Sequence, residues 1–90
     1  MKKLEKKFTK YGDKFNQEKR KGNVAMYSRT SKGGDVSYEI IKVGRHKGYK
    51  LGKNFIEPSE IYPGSSLWGI QGWTSTDIES ATERYNKLLK

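Results

Sequence analysis

The chain of 90 residues contains no cysteine. That excludes a disulfide framework, a thiol nucleophile and a zinc site built on thiolates. Its one histidine, His46, leaves no histidine pair to hold a metal, so no metal or other cofactor is expected. No run of eighteen apolar residues occurs, so no membrane span is expected. The opening Met1-Lys2-Lys3-Leu4-Glu5-Lys6-Lys7 has no apolar segment behind its lysines. It is therefore not expected to be a secretory signal, and a cytoplasmic setting is expected. Acids are scarce: 10 Asp and Glu stand against 19 Lys and Arg, a net charge of +9. Such an excess favours polyanionic partners. Apolar residues make up 32%, enough for one small core. Leu, Ile, Val and Phe together number 17 of 90, a composition bordering on that of disordered chains. Six Tyr and two Trp offset this shortage, because each can bury a large area.

The charge is concentrated at the start. Residues 1–22 carry nine Lys or Arg and three acids, and residues 23–90 carry ten and seven. Within the first block Leu4, Phe8, Tyr11 and Phe15 recur at spacings of 4, 3 and 4, one stripe of a helix. The spacing predicts a basic amphipathic N-terminal helix or arm over 1–22, with Lys6, Lys7, Lys10 and Lys14 around its surface. The stripe either docks on a sheet, orders on nucleic acid or an acidic partner, or lies on a membrane surface, an option the three acids of the block argue against. Residues 23–90 are expected to fold as a domain without this block.

That domain reads as α+β. Residues 24–30 and 36–43 are strand-like runs around Ser31-Lys32-Gly33-Gly34-Asp35, a hairpin signature. Ile40-Ile41 breaks the alternation, which predicts a strand covered on both faces. Short strands follow at 49–51 and 55–57, and an extended aromatic, Gly-rich segment at 67–74. Thr76-Asp77-Ile78-Glu79 matches a capping box. The helix behind it places Ile78, Ala81, Tyr85, Leu88 and Leu89 on one face. The expected architecture is a four- to five-stranded, mostly antiparallel sheet with this C-terminal helix packed on it and the basic N-terminal helix nearby.

Residues 42–53 hold Lys42, Arg45, His46, Lys47, Lys50 and Lys53 without one acid, with Tyr49 among them. Cations attract phosphates and an aromatic face stacks bases, the pattern of a nucleic-acid or anion-binding surface. The plainer reading is an edge hairpin whose lysines discourage pairing with other chains. Trp68 and Trp73 flank Gly69 and Gly72. Either both rings pin a strand to the core, or one anchors a partner, since Trp is enriched at binding hot spots. His46 lacks the partner constellation of an acid–base site, and no phosphate-cradling or nucleophile-elbow motif occurs. A non-enzymatic role is expected, with no catalytic residues.

Glu57-Pro58-Ser59-Glu60-Ile61-Tyr62-Pro63, then Trp68-Gly69-Ile70-Gln71-Gly72-Trp73-Thr74, then a short capped helix, form an E-P-S-E-x-Y-P … W-G-x-x-G-W-T pattern. Over residues 23–90 it resembles small uncharacterised accessory proteins of tailed bacteriophages. The resemblance implies a phage origin and a host bacterial cytoplasm, and it adds no site residue. Three functions follow as expectations. The first is a binder of nucleic acid or another polyanion through Lys42, Arg45, Lys47, Lys50, Lys53 and Tyr49. The second is a host-takeover or anti-defence inhibitor, anti-CRISPR-like, docking on a host protein through Trp68 and Trp73. The third is a sponge for a nucleotide signal.

Overall fold

Alternating residues split the central strands into two apolar faces, one covered by the C-terminal helix and the other by the N-terminal segment and residues 62–68. The computed structural model describes residues 2–89. Its strands are β1 (Lys7–Lys10), β2 (Asp13–Lys21), β3 (Val24–Thr30), β4 (Val36–Lys42), β5 (Gly44–His46), β6 (Tyr49–Leu51), β7 (Asn54–Ile56), β8 (Ser59–Ile61) and β9 (Gly72–Ser75). A 3-10 turn, Ser65–Leu67, precedes β9, and one helix, α1 (Ile78–Leu88), follows it. The main sheet has the order β1-β2-β3-β4-β9, antiparallel throughout.

The basic N-terminal helix expected over 1–22 is not formed; the segment is a β-hairpin. Phe8 lies directly opposite Phe15, and their rings stack with centroids 4.7 Å apart. Between them Tyr11 and Gly12 both take positive φ, 57° and 81°, as a type I′ hairpin turn requires. Tyr11 is thus turned out to solvent rather than lying in a stripe. A 4-3-4 spacing suits a helix, but folding about Tyr11-Gly12 brings the same phenylalanines together across two strands. β2 pairs with β3 from Lys14 to Lys21, with a register shift between Gln17 and Lys19, so residues before 22 form part of the main sheet.

On one face Val24, Met26 and Ile40 pack with Ala81 and Tyr85 of α1. On the other Phe15, Ala25, Tyr27, Ile41 and Val43 pack with Leu4, Phe8, Tyr62 and Trp68. Ile40 and Ile41 therefore enter opposite cores, as their broken alternation predicts. The helix cap is Asp77 rather than Thr76: Asp77 is extended, and its carboxylate accepts from the Ser80 N–H at 3.1 Å. That bond satisfies one of the open donors at the helix start and lowers the Asp77 pKa. Ile78 and Leu89, expected on the buried face, are exposed.

The segments 49–51 and 55–57, expected in the main sheet, lie outside it. β5 pairs with β8 and β6 with β7. Gly44 faces Ile61, His46 faces Ser59 and Tyr49 faces Ile56, so one register runs through both pairs. Residues 44–61 are one long hairpin, interrupted at Lys47-Gly48 and Glu57-Pro58. Proline has no N–H for the ladder. Gly48, at φ 90°, leaves no room for a side chain: a Cβ there would stand 2.8 Å from the Ile56 carbonyl oxygen.

Candidate nucleic-acid interface

The hairpin 44–61 has an anchored base and an exposed tip. At the base, Glu60 is buried. Its Oε1 accepts from the Leu4 N–H at 2.9 Å and from Arg20 at 2.6 Å, and its Oε2 accepts from the other Arg20 nitrogen at 2.6 Å. This bidentate pairing, helped by the Leu4 amide, holds the Glu60 pKa down at about 2 against the opposing effect of burial. Residues 2–4 run beside β8: the Lys2 N–H donates to the Pro58 carbonyl, and the Glu60 N–H donates to the Lys2 carbonyl. One buried carboxylate thus ties together the N-terminal segment, β2 and the hairpin.

At the interruption, the Gly48 N–H donates to His46 Nδ1 at 3.2 Å. That leaves Nε2 to carry the proton and donate to Ser59 Oγ, 2.7 Å away. The single histidine is a brace across the hairpin, edge-on to the Tyr49 ring.

Beyond this brace β6 and β7 leave the body. Tyr49, Leu51 and Phe55 are 52%, 61% and 63% exposed, although strands of three residues gain little stability by themselves. Lys47, Lys50 and Lys53 are exposed, and no carboxylate pairs with them among the described residues. At about 3.3 Å per residue the limb from residue 44 to the Gly52 turn spans about 27 Å. It is a narrow ribbon with cations and aromatic rings along it.

The other basic residues singled out from sequence are dispersed. Lys42 ends β4 with its Nζ 6.0 Å from the Trp73 ring. Arg45 is half-engaged: it donates to the Asn23 side chain and stands 3.5 Å from Glu60. Lys6 and Arg45, distant in sequence, meet with Lys3 and Arg20 in a groove of about 440 Å³. Lys7 and Lys14 project from the α1 side of the sheet, in line with Lys19, which faces Met26 across β2–β3. Lys10 is on the opposite side, over the Tyr11 and Tyr62 rings.

Both tryptophans are half-buried. Trp68 packs against the core and donates from Nε1 to Thr74 Oγ1 at 2.9 Å. Trp73 lies between the Lys42 ammonium and the Arg84 guanidinium, which is 5.2 Å from its ring. On β6 and β7 the exposed apolar side chains that sequence reasoning missed are Leu51 and Phe55. Their signal was available: two apolar residues flanking Gly52-Lys53-Asn54, a turn with no apolar neighbour to bury against.

A second buried carboxylate lies on the same side of the sheet as Glu60. Glu39 accepts from the Tyr62 hydroxyl and from Arg29 at 3.0 Å, and Arg29 also donates to Asp13 at 2.6 Å. Burial and the neighbouring carboxylate push the Tyr62 pKa far up. The paired acids raise that of Arg29. Among the described residues no group of three His, Asp or Glu side chains is placed to hold a metal, and no helix is long and apolar enough to cross a membrane. No protein-family model, curated protein or solved structure matches the chain.

Proposed function

We propose that this chain is a non-enzymatic nucleic-acid-binding protein whose working element is the hairpin 44–61. The observation that carries this reading is the tip. Three uncompensated lysines and two exposed aromatic rings share a ribbon that is braced at its base and free along its length. Lysines on such a ribbon meet phosphates, and Tyr49 and Phe55 offer faces on which bases stack without regard to sequence. A two-stranded ribbon is also slim enough for the major groove of a duplex. The remaining positive charge steers the approach.

A second reading rests on Leu51. It shares a face of the ribbon with Tyr49 and Ile56, and an aliphatic side chain contributes nothing to base stacking. That strip suits a protein surface, and the inhibitor role implied by the phage resemblance would then use the ribbon tip in place of Trp68 and Trp73.

Titration of fluorescent single- and double-stranded oligonucleotides at several salt concentrations separates the two. On the first reading log K falls linearly with log salt, and K47A/K50A/K53A flattens the slope by roughly 0.9 for each phosphate no longer neutralised. Salt-independent binding, or none at low salt, moves the assignment to the protein surface.

A further inference from the structure

A cavity of about 230 Å³ opens on the side of the sheet away from α1, between the β1–β2 turn and residues 62–68. Its wall is aromatic: Tyr62 and Trp68 stack with centroids 6.5 Å apart at 23°. Glu39, only 4% exposed, is among the residues that line it. Tyr62 donates to Oε1 and Arg29 to Oε2, so each oxygen keeps capacity for one further bond. Lys10 lines the same cavity, its Nζ 5.3 Å from the Tyr11 centroid and 5.8 Å from that of Tyr62. Asp13 faces Lys10 across the hairpin, but its carboxylate is held by Arg29. No carboxylate pairs with Lys10 among the described residues.

These features define a ligand. The stacked rings ask for a flat aromatic group. The carboxylate only accepts, so that group must bring N–H donors to it. Lys10 asks for an anion outside the rings. The volume is below the ~300–1,000 Å³ usual for a whole drug-sized ligand, so the flat group enters and the rest stays at the mouth. Among nucleobases, guanine presents two adjacent donors, N1–H and the 2-amino group, to the two oxygens of one carboxylate. Adenine and cytosine present an amino group beside an acceptor nitrogen. Uracil presents one N–H between two carbonyls, whose oxygens would face the carboxylate. We infer that this cavity binds a guanine nucleotide, with the base against Tyr62 and Trp68, its N–H edge on Glu39 and its phosphate on Lys10. The site shares none of the lysines of the 44–61 hairpin and does not depend on that hairpin's role.

The test is a titration of the full chain with GMP, AMP, CMP, UMP and guanosine, followed by tryptophan fluorescence and amide chemical shifts. GMP is expected to saturate and to bind at least about tenfold more tightly than the other three nucleotides, because only guanine satisfies both oxygens. K10A is expected to weaken GMP by about tenfold and leave guanosine unchanged, because it removes a phosphate partner and nothing that touches the base. K47A/K50A/K53A should leave GMP binding as it is. E39Q should abolish the preference for guanine; since Glu39 is buried and paired, K10A and the wild-type nucleotide series decide the matter if E39Q does not fold. Displacement of GMP by an oligonucleotide with one deoxyguanosine, and not by a thymine-only one, supports the site with its base drawn from a strand. Failure of both to displace GMP supports it with the free nucleotide as ligand. Equal binding of all four nucleotides, absence of saturation, or equal loss of GMP and guanosine in K10A would overturn the assignment.

Discussion

The five-stranded sheet and the 44–61 hairpin are both antiparallel β-structure, yet they use side chains in opposite ways. In the sheet, apolar residues alternate into two cores: α1 seals one, and residues 2–5 and 62–68 seal the other. In the hairpin, beyond its braced base, Tyr49, Leu51 and Phe55 face solvent. The sheet gains its stability from burial. The outer hairpin gains little, and what holds it is covalent continuity with β5 and β8, the His46 brace and the Glu60 anchor. The contrast separates a packed scaffold from the surface proposed to bind, and substitutions should divide along it.

The largest effect is expected from removing residues 1–21. The remaining chain would lose β1 and β2 and bare Tyr27 and Ala25, so its thermal melt should show no cooperative transition. A two-state melt of that fragment would mean that the N-terminal hairpin is only an accessory. Next, Ile40→Ala should cost about 2–5 kcal/mol in chemical denaturation, because Ile40 is fully buried against α1. Leu51→Ala, the same kind of truncation on the hairpin, should cost less than about 0.5 kcal/mol, as surface changes do. Equal costs would erase the distinction between the two regions.

At the junction, Gly48→Ala should destabilise the hairpin by roughly 1–3 kcal/mol through its left-handed backbone and crowded Cβ. Amide exchange should quicken in residues 49–56 and stay slow in β3 and β4. Uniform quickening would show that hairpin and sheet unfold as one unit.

The anchor has a definite pH signature. The Glu60 pKa lies at about 2 in the folded chain, below its ordinary value of 4.5. The unfolded chain therefore binds the proton first on acidification, and stability supplied by Glu60 is complete above about pH 4.5 and is lost as pH falls towards 2. Glu60→Gln should flatten the stability profile over that window. An unchanged acid limb would assign acid unfolding to other carboxylates.

How far the sequence revealed this division depends on the range of the interactions. β3, β4, the turn between them and α1 are fixed by local alternation, a Gly-Gly turn and helical spacing, and all were legible. The N-terminal hairpin was not, because lysine-rich segments suit helices and the 4-3-4 spacing of Leu4, Phe8, Tyr11 and Phe15 satisfies both structures. Only Gly12 within that stripe pointed to a turn. The basic run 42–53 was legible as charge, but not as a ribbon leaving the sheet, since the β5–β8 pairing depends on Arg20 and the Leu4 amide reaching Glu60. The Glu39 cavity was invisible for the same reason: Asp13, Arg29, Glu39 and Tyr62 come from four separate segments.

If the hairpin is the working surface, binding depends on where the lysines stand and not on the net charge alone. The two are separated by comparing K47A/K50A/K53A with K7A/K14A/K19A on one fluorescent oligonucleotide at low salt. Each variant removes three lysine charges, so long-range attraction falls equally. The hairpin variant should weaken binding by about tenfold or more and flatten the salt dependence by roughly two to three units, while the sheet variant should stay close to wild type. Equal losses in the two folded variants, or a greater loss from the sheet lysines, would refute a binding site on the hairpin.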